Sequence, residues 1–239
     1  QPGDEYFNDP HWRDITDWKA ELDPWYQVAR RMLGVETNPF YSPSDKAMQE
    51  TAEEMGVADT FKLAPLGIYF GDRPGVEHSD PYFGGAGPSR KSCINCGECM
   101  TGCRHNAKNT LVKNYLYFAE KLGVEVRPLT TATKIEFIDG HWKIKVKSST
   151  SWLPFTSKSR TIKAKELIVA AGTYNTQKLL HRMKSDGVLD ISDSLGRLSR
   201  TNSESLVGAI MPKSKIDFSQ GASITSSFFP NPNTHVEPV

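Results

Sequence analysis

The chain has 239 residues, 38% of them hydrophobic and 24% charged, with a formal net charge of +1. That composition supports a packed core in one large domain or two small ones. It excludes the clustered basic surplus of a nucleic-acid binder, and no apolar run approaches the roughly 20 residues of a membrane span.

The opening Gln1-Pro-Gly-Asp-Glu5 is polar and acidic, which predicts no secretory leader. Residues 1–90 are rich in Trp, Tyr and Pro and read as helices joined by irregular loops. One helix is predicted with Asp23 as N-cap, Pro24 in the first turn and Gly34 as stop, burying Trp25, Val28, Met32 and Leu33. A second is predicted from about Ser44 to Met55, with Gly56 beyond it. Residues 71–92 hold five Gly and three Pro, so this stretch reads as a loop leading to the cysteines.

All four cysteines of the chain fall in eleven residues, Cys93-Ile-Asn-Cys96-Gly-Glu-Cys99-Met-Thr-Gly-Cys103. The C-x2-C-x2-C-x3-C spacing is the one that wraps a 4Fe–4S cluster in bacterial ferredoxins. Arg104 stands where that run has proline, and there is no second cysteine set. Zinc usually takes two cysteine pairs separated by a longer loop, which is absent here. A redox disulfide or a set of small structural thiols also fits. Cysteines this close cannot staple distant loops, so a reducing compartment, the cytoplasm, is expected. Arg104 and Lys108 flank the run and would favour a thiolate or an anionic ligand, or simply form a solvated basic patch.

Beyond the cysteines, Leu111, Tyr115, Phe118 and Leu122 recur at helical spacing, capped near Asn109 or Thr110 and closed by Gly123. The period then changes to two. Val124 and Val126 predict a short strand. A hairpin follows, with Ile135 and Phe137 on one arm and Trp142, Ile144 and Val146 on the other, around an Asp139-Gly140 tip. Residues 148–160 read as a polar turn or loop. Leu167 to Ala171 predicts a buried parallel strand running through Gly172 into a helix with Leu179, Leu180 and Met183 inward. Such a strand–Gly–helix junction can meet a phosphate or a cofactor edge, and can equally be ordinary β–α packing. Further on, Gly208-Ala-Ile-Met211 and Ala222-Ser-Ile-Thr-Ser-Ser-Phe-Phe229 read as antiparallel strands.

Four motifs occur in order: Cys96-Gly-Glu-Cys99-Met-Thr-Gly-Cys103-Arg, Ala107-Lys-Asn-Thr-Leu-Val-Lys-Asn-Tyr-Leu-Tyr117, Ala170-Ala-Gly172-Thr173 and Arg200-Thr-Asn-Ser-Glu204. Together they resemble the glucose–methanol–choline (GMC) oxidoreductases, and within them the bacterial cholesterol-oxidase-like branch. The resemblance implies an α/β chain of mixed α+β content. A partial FAD-binding Rossmann-like domain would be interleaved with an antiparallel-sheet substrate domain. It places residues 1–104 in a substrate-side excursion with the cysteines, 105–187 in the FAD-binding domain, and 188–239 at the start of the substrate sheet. It implies backbone contacts to FAD at Ala132 and at Gly172 and Thr173. The alternative for both segments is simple core packing.

The resemblance further implies hydride transfer from the CH–OH group of a sterol or another bulky alcohol to the flavin, with a base taking the hydroxyl proton. The histidines are His11, His78, His105, His141, His181 and His235. His235, with Glu237, falls where related sterol oxidases place an acid/base, and the pair is carried over as the catalytic candidate. The family's main His/Asn pair and its Gly-x-Gly-x-x-Gly fingerprint have no counterpart in the 239 residues. The expectation is of an internal fragment that holds FAD weakly alone. An iron–sulfur electron-transfer module, with Cys93, Cys96, Cys99 and Cys103 as ligands, is the alternative from another class.

Overall fold

A computed structural model describes residues 2–150, 159–199 and 204–239. In chain order the helices are α1 (Asp4–Phe7), α2 (Trp18–Met32), α3 (Pro43–Glu54), α4 (Tyr115–Lys121) and α5 (Thr173–Ser185). The strands are β1 (Glu36–Thr37), β2 (Lys62–Leu63), β3 (Pro65–Leu66), β4 (Glu77–His78), β5 (Arg90–Lys91), β6 (Thr130–Ile138), β7 (His141–Ser148), β8 (Arg160–Ala164), β9 (Ser226–Asn231) and β10 (Thr234–Val236). This is the expected mixture of helix and sheet, and every ladder between these strands is antiparallel. The chain divides into two compact units, Gln1–Val124 with Met211–Val239, and Glu125–Ile210.

In the first unit, α3 begins within a residue of the predicted point. Ser42 and Asp45 cap each other reciprocally, and Pro43 occupies the first turn, where its missing N–H costs nothing. The N-cap of α2 lies six residues before the predicted one. The Asp17 side chain accepts from Ala20 N at 3.1 Å and caps the helix, leaving Pro24 inside it. The predicted apolar face is also looser than expected, with Trp25 65% exposed.

Strands β2, β9 and β10 form a three-stranded sheet in the order β10-β9-β2, with Phe228 buried. The predicted strand over 222–229 is thus found from Ser226 onward, whereas Gly208–Met211 forms none and its apolar side chains are exposed. Val124 and Val126 are likewise exposed and belong to no strand among the described residues; Val124 N instead donates back to Ala119 O at 3.0 Å. The core of this unit gathers Ile68, Phe70, Cys93 and Ala107, with Phe40, Leu66, Cys99, Cys103 and Ala222 packed on it.

A buried arginine braces the approach to the cysteines. Arg90 donates from Nε to Asn109 Oδ1 at 2.6 Å, from Nη1 to the carbonyls of Pro88 and Ser89, and from Nη2 to that of Lys113. One guanidinium therefore ties together the glycine-rich loop and the segment leading into α4.

In the second unit the hairpin forms as predicted. Ile135 pairs with Ile144, Phe137 with Trp142, and Asp139 and Gly140 both take positive φ at the tip, as a type I′ turn requires. The register slips between Ala132 and Lys134, which leaves Thr133 as a bulge. The polar stretch was expected to be all loop, but its last residue, Arg160, opens β8, the third strand of the sheet; residues 151–158 lie outside the described residues.

α5 packs on this sheet through fully buried Met183, with Leu179 and Leu180 alongside. The predicted parallel strand Leu167–Ala171 is not formed. The segment runs as a chain of period two, with Leu167 and Val169 packed on the core and Ile168 90% exposed, and pairs with no strand among the described residues. A parallel ladder needs a neighbour delivered by a crossover, and the sheet described here is the antiparallel set β6-β7-β8. Of the fourth motif, Arg200–Ser203 lie outside the described residues.

Candidate functional site

In the second unit, β6 and α5 enclose a cleft of about 590 Å³. Thr130, Thr131, Ala132 and Thr133 line it from the strand, and Lys147 from β7. Ala171 and the helix residues Asn175, Lys178, Leu179 and Arg182 complete it. Ala132 and Ala171, from two segments singled out in the sequence and about 40 residues apart in the chain, thus line one space, whereas Gly172 and Thr173 are not among its lining residues. Gly172 and Thr173 follow Ala171 directly and form the N-cap and first residue of α5.

The local geometry follows from two features of the chain. The bulge at Thr133, whose Oγ1 donates to Lys145 O at 3.1 Å, re-aims the strand beside Ala132. Gly172 adopts φ 77 and ψ 158, a region open essentially to glycine alone, and so turns the extended segment into the helix. Ala171 N donates to Thr176 Oγ1 at 3.0 Å, and the first helical bond runs from Thr176 N to Gly172 O. The N–H groups of Thr173, Tyr174 and Asn175 therefore lie ahead of the intrahelical ladder, at the positive end of a thirteen-residue helix.

The charge of the cleft is positive. Among the described residues, Lys147, Lys178 and Arg182 line it with no lining carboxylate, and Arg182 forms a long 3.9 Å pair with Asp186. Sequence reasoning missed these cations. Asn175, Lys178, Leu179 and Arg182 stand at i, i+3, i+4 and i+7 of α5, so a helical-face reading would have found them.

In the first unit, the cysteine run is a coiled loop with positive φ at Asn95, Gly97, Gly102 and Asn106. Gly97 N donates to Gly221 O at 2.9 Å and Gly221 N to Asn95 O at 3.0 Å, docking the loop on the segment before β9. A Cβ on Gly97 would stand 1.8 Å from Ser219 O, so only glycine fits. All four thiols are free. Cys93, Cys99 and Cys103 pack in or on the apolar core, while Cys96 does not.

Burial pushes the Cys93 thiol up. Burial also opposes ionisation of Cys103. Backbone N–H groups of Lys108, Ala107 and His105, with the Lys113 charge, outweigh it and hold that thiol below its ordinary value. Lys108 is no free basic patch, because its ammonium donates to Cys99 O at 3.1 Å. Among the described residues, one group of three or more His, Cys, Asp or Glu donors brings its ligand atoms within 4.8 Å of one another. It is Cys96, Glu98 and His105, and not the four sulfurs.

His235 and Glu237 lie at β10 and just beyond it. His235 Nδ1 is 3.4 Å from Glu237 Oε1, and its ring stacks on Phe229 at 4.5 Å and 18°. Lys62 Nζ stands over the other partner of that stack, 5.2 Å from the Phe229 ring centre. His11 pairs with Asp9, His141 caps the hairpin tip through Asp139 O, and His78 packs edge-on against Tyr69.

Residues 88–185 match the sequence model of the GMC oxidoreductases. The matched span contains all four cysteines, Ala132, Gly172 and Thr173, and the resemblance read from the motifs is borne out over those residues. That family is FAD-dependent, and its N-terminal domain is Rossmann-like.

The chain is 49% identical over 246 aligned positions to a protein named cholesterol oxidase from Mycobacterium tuberculosis. It is 39% identical over 246 positions to one of the same name from Acinetobacter baumannii. The alignments take in 100% and 99% of this chain but 42% and 44% of those proteins, so it spans about two fifths of their length. No solved structure gives a significant match. The iron–sulfur alternative gains no support from these findings. Among the described residues, no helix is long and apolar enough to cross a membrane.

Proposed function

We propose that this chain supplies one wall of the FAD site in an oxidoreductase that oxidises the CH–OH group of a sterol or another bulky alcohol. The observation that carries the reading is the cleft lined by Ala132 and by Ala171, the residue just before the Gly172–Thr173 helix start, together with three cations. Its chemistry suits a dinucleotide: an exposed strand edge for an adenine, free N–H groups at a helix start, and ammonium and guanidinium groups to balance phosphate charge. On this reading the backbone of Ala132, Gly172 and Thr173 would hold the cofactor. Lys147, Lys178 and Arg182 would screen its phosphates.

A bound flavin would supply the acceptor for the hydride of the alcohol carbon. The chain's own residues position and exclude. The bulge at Thr133 and the fixed turn at Gly172 hold the two backbone edges, and the core beneath, around Ile135 and Met183, keeps water from below the cleft. His235 with Glu237 is the acid–base candidate, since an imidazole beside a carboxylate can take or return a proton. Residues 105–187 would form the flavin side, and 1–104 and 188–239 the substrate side. Four free thiols fit a reducing cytoplasm.

The test is the visible spectrum of the full-length gene product. Two resolved yellow bands, bleached anaerobically by a sterol and not by a short alcohol, are expected. A colourless protein that takes up no added FAD would overturn the reading.

A further inference from the structure

One thiol of the four stands apart from the core that takes the other three. Cys93, Cys99 and Cys103 pack in or on the apolar cluster, whereas the Cys96 sulfur gathers with a Glu98 carboxylate oxygen and a His105 ring nitrogen, all within 4.8 Å of one another. We propose that Cys96, Glu98 and His105 bind a divalent transition-metal ion of zinc-like chemistry, with a fourth position open to water.

Three observations support the site. The donor set is a thiolate, an imidazole and a carboxylate, the three ligand types zinc takes. Metal–ligand bonds of about 2.0–2.3 Å place tetrahedral corners about 3.5 Å apart, so modest side-chain rotation closes the present spacing. Both flanks of the loop are also anchored. Cys96 sits in a bridge to Gly221, between the bonds Gly97 N to Gly221 O and Gly221 N to Asn95 O. Next to His105, Asn106 donates from Nδ2 to Ser89 O at 3.1 Å and accepts from Lys91 N at 3.2 Å.

A thiolate and a carboxylate together carry the two negative charges that a divalent ion neutralises. The C-x-E-x6-H spacing is a local pattern that the wider C-x2-C-x2-C-x3-C run conceals in the sequence.

Cobalt(II) added to the reduced, chelator-treated full-length protein tests the proposal through its thiolate-to-cobalt absorption. One equivalent is expected to bind, with a band that zinc displaces. Cys96→Ser removes the band and Cys99→Ser keeps it, while Glu98→Gln and His105→Gln each weaken binding by at least about tenfold. The proposal is overturned if no band forms at one equivalent or if it survives Cys96→Ser. It is equally overturned if the band requires Cys93, Cys99 or Cys103, which would move the ion to the sulfur set. The substitutions Glu98→Gln, at an exposed position, and His105→Gln keep the test valid should Cys96→Ser disturb folding.

Discussion

Gly172→Ala isolates backbone conformation at the junction on which the cleft depends. A Cβ there would meet no heavy atom within 4 Å, so crowding contributes nothing to the change. The conformation, φ 77 and ψ 158, is one that residues with a Cβ essentially never hold. The expected cost is about 1–3 kcal/mol, or roughly 5- to 150-fold in the unfolding equilibrium. The chain can escape the strain only by rotating the turn. That would break the Ala171 N to Thr176 Oγ1 bond and move the start of α5 away from β6.

Urea denaturation, with the FAD affinity of the full-length protein alongside, measures both routes. A D-alanine placed at 172 by chemical ligation is the control, because a D-residue favours positive φ; it should restore most of the loss. If Gly172→Ala proves as stable as the parent, or if D- and L-alanine behave alike, the argument from backbone conformation is wrong.

Replacing Lys178 and Arg182 together by Gln should weaken FAD binding at least tenfold and flatten its dependence on salt, measured by flavin fluorescence; an unchanged salt slope would sink the electrostatic role. Asp45 is fully buried and accepts from Ser42 N at 2.7 Å, Ser42 Oγ at 2.7 Å and Thr225 Oγ1 at 2.6 Å. Burial opposes its ionisation, but those hydrogen bonds hold its carboxyl below the ordinary aspartate range. Its stabilisation is therefore complete above that range and drains away as the pH falls through it and below. Asp45→Asn should cost about 1–3 kcal/mol at neutral pH and shrink the acid-side loss, as followed by denaturation against pH. Gly97→Ala must displace Ser219 O or undock the cysteine loop, and should expose the Cys96 thiol to a colorimetric disulfide reagent; unaltered thiol kinetics would contradict the docking described.

Periodicity and turn chemistry in the sequence determined the elements whose causes are local. Ser42 with Asp45 started α3, Asp139-Gly140 closed the hairpin, and Gly172 opened α5, because each interaction closes within a few residues. Tertiary contact decided the rest. Leu167–Ala171 has a strand's composition but pairs with no strand among the described residues, and Asp17 outcompeted Asp23 as the cap of α2. Cysteine spacing and the family resemblance located the two regions without showing their shape. The meeting of Ala132 with Ala171 depends on a helix folding back over a sheet, and the separation of Cys96 from its three neighbours depends on which sulfurs the apolar core accepts. Spacing along a chain fixes what residues can reach, whereas burial against distant partners fixes which way they turn.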